Sequence, residues 1–336
     1  MFFHMNPGSL LRRFFVIGCL ILLACLQPGL AADDAKGALE KYFNLLGYQG
    51  VTFKGTEENE LLLDVIIGEK KSVLLVDTGW GFTTLSERAA RGLKRLRDLG
   101  GTMEDGRLGT LTDPSLAVLE KLVIGKAQFL NQPAVVNALE MDYQSTHFDG
   151  VLGCDFYWRN FCMIDCFRRK LFMRPAQLSE QQSKDMAETF RRSGIVEVPI
   201  RAKHHLLIDV EINKHPARLL VDTGFEISAL DEEQSKTFDL NLYKEKATGS
   251  SIPQDYGGKV IGMGSVGAHK VRVVTIKSLQ MGSRKLDNVH FGICNFNAWQ
   301  KAEEREWVGV IGEDLLESQG ALLDFAGGKV WFSRKK

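Results

Sequence analysis

Two Asp-Thr-Gly triplets are the residues of this 336-residue chain whose type and spacing suggest chemistry. Asp77 and Asp222 each follow a run of apolar residues, at 73–76 and 219–221, and each precedes a threonine and a glycine. Two carboxylates held side by side cannot both ionise easily, so they share one proton. The ionised carboxylate can then take a proton from a water molecule while its protonated partner supports the developing oxyanion. The pair therefore predicts hydrolysis by an activated water, with no metal and no cofactor.

The segments that must position these aspartates occur twice along the chain. Residues 62–67 and 73–79 match residues 207–212 and 218–224 after a shift of 145 positions (222 minus 77), without a gap. A second block, residues 150–153, matches residues 309–312 at a shift of 159 (309 minus 150). The same shift aligns residues 164–165 with 323–324 and residues 170–172 with 329–331. Two ordered blocks at nearly equal shifts indicate an internal duplication.

The repeated segments have the pattern of β-strands. They are short runs rich in Val, Ile and Leu, many of them alternating with polar residues and separated by glycines. The run at 73–76 is apolar throughout, which predicts a strand buried on both faces that ends in a turn at Gly79. Helices are expected only at 35–46, 86–99, 178–192 and 231–238. The predicted fold class is all-β.

The overall composition is that of a folded, charge-balanced protein. Apolar residues make up 44% of the chain, enough for one large domain or two ordinary ones. The 42 basic and 42 acidic residues cancel, and no long block of one sign occurs. This pattern predicts no nucleic-acid partner.

The N-terminus has the features of an export signal. Arg12 and Arg13 precede an apolar run at 14–26, and small residues at 29–31 suit cleavage near residue 31. The run is shorter than the ~20 residues that span a bilayer, so we expect a periplasmic or secreted protein without a spanning segment. A competing interpretation is a lipoprotein box at 22–25, which would leave Cys25 as a lipidated N-terminus.

Four cysteines follow the signal: Cys154, Cys162, Cys166 and Cys294. Export permits disulfides, but four cysteines allow three full pairings and the sequence does not choose among them. If residues 163–173 form one strand, as their pattern suggests, Cys162 and Cys166 lie too far apart to bridge. The sequence lacks zinc-type spacings, so we expect free thiols or a single disulfide and no metal site.

The motifs together resemble the aspartic protease superfamily of pepsins and retropepsins. Apolar-apolar-Asp-Thr-Gly in both halves, each followed by apolar-apolar-Gly at 151–153 and 310–312, is similar to the pattern of that family. The likeness extends from about Leu61 to the C-terminus. The segment 308–316 looks more like retropepsin-type bacterial proteins, whereas two lobes in one chain are the arrangement of pepsin. The resemblance implies a bilobal acid-protease fold and an aspartic endopeptidase that acts, as a monomer, on a peptide or protein substrate in the inter-lobe cleft.

The resemblance also implies roles for individual residues. Asp77 and Asp222 would be catalytic, and Thr78 and Thr223 would cross between the lobes in hydrogen bonds. The neighbouring residues that would complete and pack the aspartate loops are Gly79, Gly224, Gly153 and Gly312. The residues assigned to flaps over the cleft are Gly106 and Gly109 in the first lobe and Tyr256 and Gly264 in the second.

The chain departs from the family directly after the triplets. Family members have Ser, Thr or Ala there, and a hydroxyl at that position hydrogen-bonds the aspartate, whereas this chain has Trp80 and Phe225. Without the hydroxyl we expect an activity optimum nearer neutral pH than that of pepsin. Large rings at these positions leave open an alternative, an exported non-catalytic peptide-binding pseudo-protease, although the presence of both aspartates and both threonines favours the enzyme.

These observations divide the chain into five parts. They are a signal peptide at 1–31, an N-terminal segment at 32–60, a first protease lobe at 61–176, an inter-lobe connection at 177–194 and a second lobe at 195–336. The segment at 32–60, expected to hold a helix and a strand, is also a candidate pro-segment.

Overall fold

The structure, a computed structural model, describes residues 32–55, 61–100, 102–105, 109–137, 142–143, 146–202, 205–242, 272–298 and 305–333. Strands dominate these residues and build two lobes that share a sheet between them. The predicted all-β class is confirmed. Among the described residues, no helix is long and apolar enough to cross a membrane.

The first half of the chain folds on an eight-stranded sheet. In chain order its strands are β1 (Gln49–Thr52), β2 (Lys54–Gly55), β3 (Leu61–Ile67), β4 (Lys70–Val76), β5 (Thr84–Ser86), β6 (Lys94–Asp98), β7 (Thr102–Asp105), β8 (Gly109–Thr112), β9 (Ser115–Ile124), β10 (Ala127–Asn137), β11 (Asp142–Tyr143), β12 (Thr146–His147) and β13 (Gly150–Leu152). The sheet order is β2-β3-β4-β13-β5-β10-β9-β6. Strands β7 and β8 form one separate hairpin, and β11 and β12 form another.

The first half ends with β14 (Met163–Asp165) and β15 (Lys170–Met173). The second half repeats the arrangement of the first, and its strands are β16 (Val196–Ala202), β17 (Leu206–Ile212), β18 (His215–Val221), β19 (Ala229–Asp231), β20 (Asn241–Leu242), β21 (Arg272–Met281), β22 (Arg284–Cys294), β23 (Gly309–Ile311), β24 (Ala321–Asp324) and β25 (Lys329–Phe332). Strands β14 and β15 belong to the same sheet as these. With β1, all of these strands form a thirteen-stranded sheet in the order β1-β15-β14-β24-β25-β16-β17-β18-β23-β19-β22-β21-β20.

The strand that carries each aspartate lies in the middle of its lobe. Strand β4 pairs antiparallel with β3 and parallel with β13, and β18 pairs in the same way with β17 and β23. Of the run at 73–76 that is predicted to be buried on both faces, residues 74–76 are buried and Val73 is half-buried, and residues 219–221 are buried in the same way. A Cβ on Gly150 would collide with the Thr84 carbonyl, and one on Gly309 with the Ala229 carbonyl, so each of these strands needs glycine to cross its neighbour closely.

The two halves meet in the sheet between the lobes. Strand β14 of the first half pairs antiparallel with β24 of the second, and Ile164 lies opposite Leu323. These two residues are equivalent in the repeat, so a local two-fold relation passes between them. The duplication that the sequence predicts is therefore visible in the strand register.

Four helices accompany the strands in the described residues. They are α1 (Ala32–Leu45), α2 (Cys154–Arg159), α3 (Glu180–Arg192) and α4 (Glu313–Ser318). Helix α3 begins with a capping box, in which the Ser179 hydroxyl accepts from the Gln182 N–H and the Gln182 side chain accepts from the Ser179 N–H. Helices α1 and α3 agree with the predictions at 35–46 and 178–192, and a short 3₁₀ helix at Gln234–Thr237 lies within the predicted 231–238.

Two predicted elements are wrong. Residues 86–99 form no helix, because turns at 87–92 lead into β6, which pairs with β9. Residues 163–173 are not one strand but the antiparallel pair β14 and β15, which reverses through a turn where Arg169 has φ 53°. The four described cysteines are free thiols, one of the two outcomes that the sequence predicts.

Candidate active site

Both aspartates stand where their buried strands end. The backbone N–H of Asp77 donates to the Leu152 carbonyl at 3.3 Å, and that of Asp222 donates to the Ile311 carbonyl at 3.0 Å. The apolar-apolar-Gly segments thus lie beside the aspartate loops. Asp77 is 3% exposed and Asp222 7% exposed, so each carboxyl is almost fully removed from bulk solvent.

Each carboxyl group is held by its own loop. The Gly79 N–H donates to Oδ1 of Asp77 and the Gly224 N–H donates to Oδ1 of Asp222, both at 2.8 Å. A Cβ on Gly79 would collide with the carboxyl group of Asp222. The structure therefore brings the two aspartates together across the lobe boundary, and Gly79 provides the room for this approach.

Four hydrogen bonds made by Thr78 and Thr223 join the two loops. The Thr78 N–H donates to the Thr223 hydroxyl at 3.1 Å, and the Thr223 N–H donates to the Thr78 hydroxyl at 3.0 Å. The Thr78 hydroxyl donates to the Val221 carbonyl at 2.9 Å, and the Thr223 hydroxyl donates to the Val76 carbonyl at 3.0 Å. Both threonines are buried, so every donor and acceptor in this network is paired away from water.

A second pair of side chains supports the first loop from behind. Oδ1 of Asp155 accepts from the Thr83 N–H at 2.7 Å and from the Thr83 hydroxyl at 2.8 Å. The Thr83 hydroxyl in turn accepts from the Gly153 N–H at 3.4 Å. The segment after the triplet is thereby tied to the apolar-apolar-Gly turn.

The second lobe repeats this support with different residue types. Oδ1 of Asp314 accepts from the Ser228 N–H at 2.8 Å and from the Ser228 hydroxyl at 2.7 Å, and the Gly312 N–H donates to that hydroxyl at 3.0 Å. Neither pair is among the site residues predicted from the sequence. A usable signal was present, because an aspartate follows the apolar-apolar-Gly glycine by two positions in each repeat.

The first residue after each apolar-apolar-Gly turn differs between the lobes. Cys154 is buried and its thiol donates to the Thr78 carbonyl at 3.0 Å. Burial, and then the charges of Asp77 and Asp222, raise the pKa of the Cys154 thiol well above its usual value. A protonated thiol is a poor nucleophile, so Cys154 supports the loop through packing and its hydrogen bond.

Glu313 occupies the equivalent position in the second lobe. Its side chain is buried, and Oε1 lies 4.0 Å from Nη2 of Arg169, which comes from the first half of the chain. Burial raises the pKa of Glu313 to about 8. A buried, proton-holding carboxyl group therefore lies between the two halves.

The rings after the triplets pack into apolar clusters. Phe225 is 3% exposed and lies 6.0 Å, between ring centroids, from Phe296 in a second-lobe cluster. Trp80 packs against the first-lobe cluster that contains Phe148, and its indole N–H donates to the Thr84 hydroxyl at 2.8 Å. Both large side chains thus have partners inside their own lobes.

The predicted flap residues are only partly described. Gly109 begins β8, in a hairpin that continues the β6–β9 pair of the first lobe. Gly106, Tyr256 and Gly264 lie outside the described residues. No group of metal-ligating side chains occurs among the residues that the structure describes.

Comparisons with known proteins identify the fold. No protein-family model matches the chain, and the search of curated proteins gives no match. The crystal structure of the aspartic proteinase from Irpex lacteus aligns with 86% of this chain and 98% of its own, with a TM-score of 0.52 and 10% sequence identity. A retropepsin-like aspartic protease from Rickettsia conorii aligns with 38% of this chain and 91% of its own, with a TM-score of 0.28 and 19% identity. The Irpex lacteus match shows that the chain has the bilobal acid-protease fold that the sequence predicts.

Proposed function

We propose that this chain is an aspartic-type endopeptidase that hydrolyses peptide bonds with a water activated between Asp77 and Asp222. The observation that supports the proposal most is the reciprocal bonding of Thr78 and Thr223. Those bonds hold one Asp-Thr-Gly loop from each lobe against the other, and the two carboxyl groups meet there.

The mechanism follows from the protonation of two adjacent carboxyl groups. The ionised aspartate accepts a proton from the water, and the oxygen of that water attacks the peptide carbonyl carbon. The protonated aspartate donates a hydrogen bond to the carbonyl oxygen as negative charge develops on it. A proton then passes to the leaving nitrogen and the C–N bond breaks. The Gly79 and Gly224 N–H groups hold one oxygen of each carboxyl group, which limits the reorientation of both during these steps.

The substrate we propose is an extended peptide segment in the cleft between the lobes. The chain supplies both aspartates, so the proposed active form is a monomer. Trp80 and Phe225 provide no hydroxyl for the aspartates, which supports an optimum nearer neutral pH than pepsin's. A peptide-cleavage profile that peaks below about pH 3.5 would contradict this part of the proposal.

The test of the function is a peptide-library digest by the purified protein beside Asp77→Asn and Asp222→Asn. Asparagine keeps the shape of the side chain and removes its acid–base capacity, so both variants should lose at least about a thousandfold in activity. The matched control is Asp64→Asn, since Asp64 lies on β3 with its side chain 56% exposed. It should cleave as the wild type does.

The same digest separates the enzyme from the non-catalytic alternative. Cleavage that both active-site variants lose supports the enzyme. Peptides that bind the wild type but stay intact between about pH 3 and 8 would favour a peptide-binding pseudo-protease. Cleavage that survives both substitutions would place the chemistry elsewhere in the chain.

We also propose that the enzyme is exported. The signal-like segment at 1–31 supports this localisation, and it lies outside the described residues. Fractionation of expressing bacteria, with N-terminal sequencing of the exported form, tests it. A product that begins near residue 32 indicates ordinary cleavage, a lipid-modified Cys25 indicates a lipoprotein, and retention of the whole chain in the cytoplasm contradicts export.

A further inference from the structure

The second lobe contains a cavity apart from the aspartate loops. It has a volume of about 720 Å³ and lies between the β21–β22 hairpin and helix α4. This volume is in the range of pockets that hold small organic molecules. The side chains that line it include Ser228, Arg284, Leu286, Asp314, Leu315 and Gln319.

The equivalent place in the first lobe is filled by two aromatic rings. The hairpins correspond at a constant shift, because Ile124 pairs with Ala127 as Met281 pairs with Arg284. Phe129 on β10 is therefore equivalent to Leu286, and Phe156 on α2 is equivalent to Leu315 at the shift of 159 that relates the apolar-apolar-Gly segments. The centroids of the two phenylalanine rings lie 5.0 Å apart in an edge-to-face contact. Two leucines in place of two phenylalanines leave more room at this place and give the cavity part of its apolar wall.

Arg284 brings an uncompensated positive charge to this cavity. It is 8% exposed, and its equivalent in the first lobe is Ala127. Nε and Nη2 donate to the Gln319 side-chain oxygen at 3.1 and 2.8 Å, and no carboxylate of the described residues pairs with the guanidinium. Gln319 is a neutral acceptor on one edge of the guanidinium, which leaves the Nη1–Nη2 edge for a second acceptor. Charged groups this far buried normally have a partner of opposite charge.

The other charges around the cavity are already engaged. Lys285 pairs with Asp287 at 2.8 Å, and Asp314 accepts from the Ser228 N–H and hydroxyl. Nδ1 of His290 lies 3.1 Å from the Thr275 hydroxyl. Arg284 is thus the charged group of the cavity wall for which the described residues supply no partner of opposite charge.

We propose that this cavity is a binding site for a small organic carboxylate with an apolar body. The carboxylate forms a two-point contact with the Nη1–Nη2 edge of Arg284, the geometry that a guanidinium favours. Leu286 and Leu315, which leave the space open, pack against the apolar body. An inorganic oxyanion would satisfy the guanidinium alone and leave this apolar wall in contact with water.

The position of the cavity connects it to the loop of Asp222. Ser228 and Asp314 form part of its wall, and the same two residues hold the Gly312 N–H behind that loop. A bound carboxylate therefore touches the support of one catalytic aspartate. This consequence rests on the proposed function, whereas binding itself does not, so the two are measured separately.

The binding test uses 3-phenylpropionate as probe, its neutral amide as the charge control and inorganic phosphate as the size control. Calorimetric titration of the purified protein should show the acid binding at least about tenfold more tightly than the amide or phosphate. Arg284→Gln should weaken the acid at least about tenfold, since it keeps a polar contact to Gln319 and removes the charge. Arg218→Gln, in the same lobe but outside the cavity wall, should bind as the wild type does.

A second variant keeps the test valid if Arg284→Gln does not fold. Leu286→Phe with Leu315→Phe copies the pair that fills the first lobe, so it should block the acid while Arg284 remains. Equal affinity for acid and amide, unchanged affinity in Arg284→Gln, or no binding at about 10 mM acid would overturn the proposal. Equally tight binding of phosphate would overturn the requirement for an apolar body. Binding without any change in peptide cleavage would overturn only the connection to Asp222.

Discussion

The hydroxyl of Thr78 accepts from the backbone N–H of Thr223 at 3.0 Å, and the hydroxyl of Thr223 accepts from the backbone N–H of Thr78 at 3.1 Å. Each hydroxyl also donates to a carbonyl of the opposite lobe, at Val221 or Val76. The exchange ties two loops that are 145 residues apart in the chain. Its symmetry follows from the duplication, because equivalent residues meet on the local two-fold axis.

Removal of either hydroxyl should weaken the joint between the lobes. Thr78→Val keeps the side-chain shape but leaves the Thr223 N–H and the Val221 carbonyl buried without partners. We expect a loss of about 2–6 kcal/mol in the free energy of unfolding, since two groups lose their partners and each buried unpaired group costs about 1–3 kcal/mol. Chemical denaturation measures it.

Thr78→Ser is the matched control for that variant. It retains the hydroxyl and should lose less than about 1.5 kcal/mol, the cost of one buried methyl group. Peptide cleavage should fall in Thr78→Val and persist in Thr78→Ser. Equal stability of the two variants would show that the hydrogen bonds do not hold the loops.

Phe225 should contribute to stability as a core residue. It is 3% exposed within the second-lobe cluster, so Phe225→Ala should lower the free energy of unfolding by about 3–5 kcal/mol. Phe82, 44% exposed, is the matched control, and Phe82→Ala should change stability by about 0.5 kcal/mol or less. A small loss in Phe225→Ala would mean that the ring lies outside the core in solution.

Most of the fold and the central residues of the site could be predicted because they are encoded locally and twice. The apolar runs before Asp77 and Asp222 make strands buried on both faces, and Gly79 leaves room for the carboxyl group of Asp222. The duplication of these segments predicted the number of lobes. The meeting of Thr78 with Thr223 came from the family resemblance, because no local pattern shows a contact between distant segments.

The misses have a common physical cause. The apolar residues of 86–99 have the spacing of a helix. Strand β6 forms there instead because it pairs with β9, and Leu96 is 51% exposed on that strand. The turn between β14 and β15 begins at Asp165, whose Oδ1 accepts from the Arg168 N–H at 2.9 Å, but its left-handed position holds Arg169, where glycine is usual. The bond between Thr83 and Asp155 joins residues 72 positions apart. Tertiary pairing determined each of these features.

Stability should fall with rising pH because of Glu313. Burial raises its pKa from the ordinary 4.5 to about 8, with Arg169 opposing the shift and the charges of Glu317, Glu226 and Asp314 adding to it. Between these two values the folded protein holds a proton that the unfolded chain has released, so unfolding becomes easier as pH rises through the window. Above about pH 8 this decline ends.

Glu313→Gln should remove that pH dependence. Glutamine resembles the protonated acid, so the variant should match the wild type near pH 4.5 and exceed it at pH 8.5 by up to about 5 kcal/mol, at about 1.36 kcal/mol per pH unit between the two pKa values. Thermal unfolding across the pH range measures this. Glu180→Gln is the control and should keep the pH dependence of the wild type, because Glu180 lies on α3 with its side chain 82% exposed and does not contribute to the raised pKa of Glu313. Parallel pH curves for wild type and Glu313→Gln would contradict the assignment.

The N-terminal segment at 32–55 should remain bound in the folded, active protein. Phe43 of α1 is fully buried under the sheet between the lobes, with its ring 4.7 Å from that of Phe172 and 6.3 Å from that of Phe190. Strand β1 pairs along its whole length with β15 at the edge of the same sheet. Phe43→Ala should therefore lower the free energy of unfolding by about 3–5 kcal/mol.

A cut in the chain distinguishes this structural role from that of a pro-segment. With a protease site inserted between Gly55 and Leu61, the severed fragment 32–55 should co-elute with the rest of the protein, because the apolar contacts of Phe43 and the β1–β15 hydrogen bonds survive the cut. Peptide cleavage should then equal that of the uncut protein. The same cut in a Phe43→Ala background should release the fragment, since the main apolar contact is missing. Release from the otherwise native protein, accompanied by a rise in cleavage, would identify residues 32–55 as an inhibitory pro-segment instead.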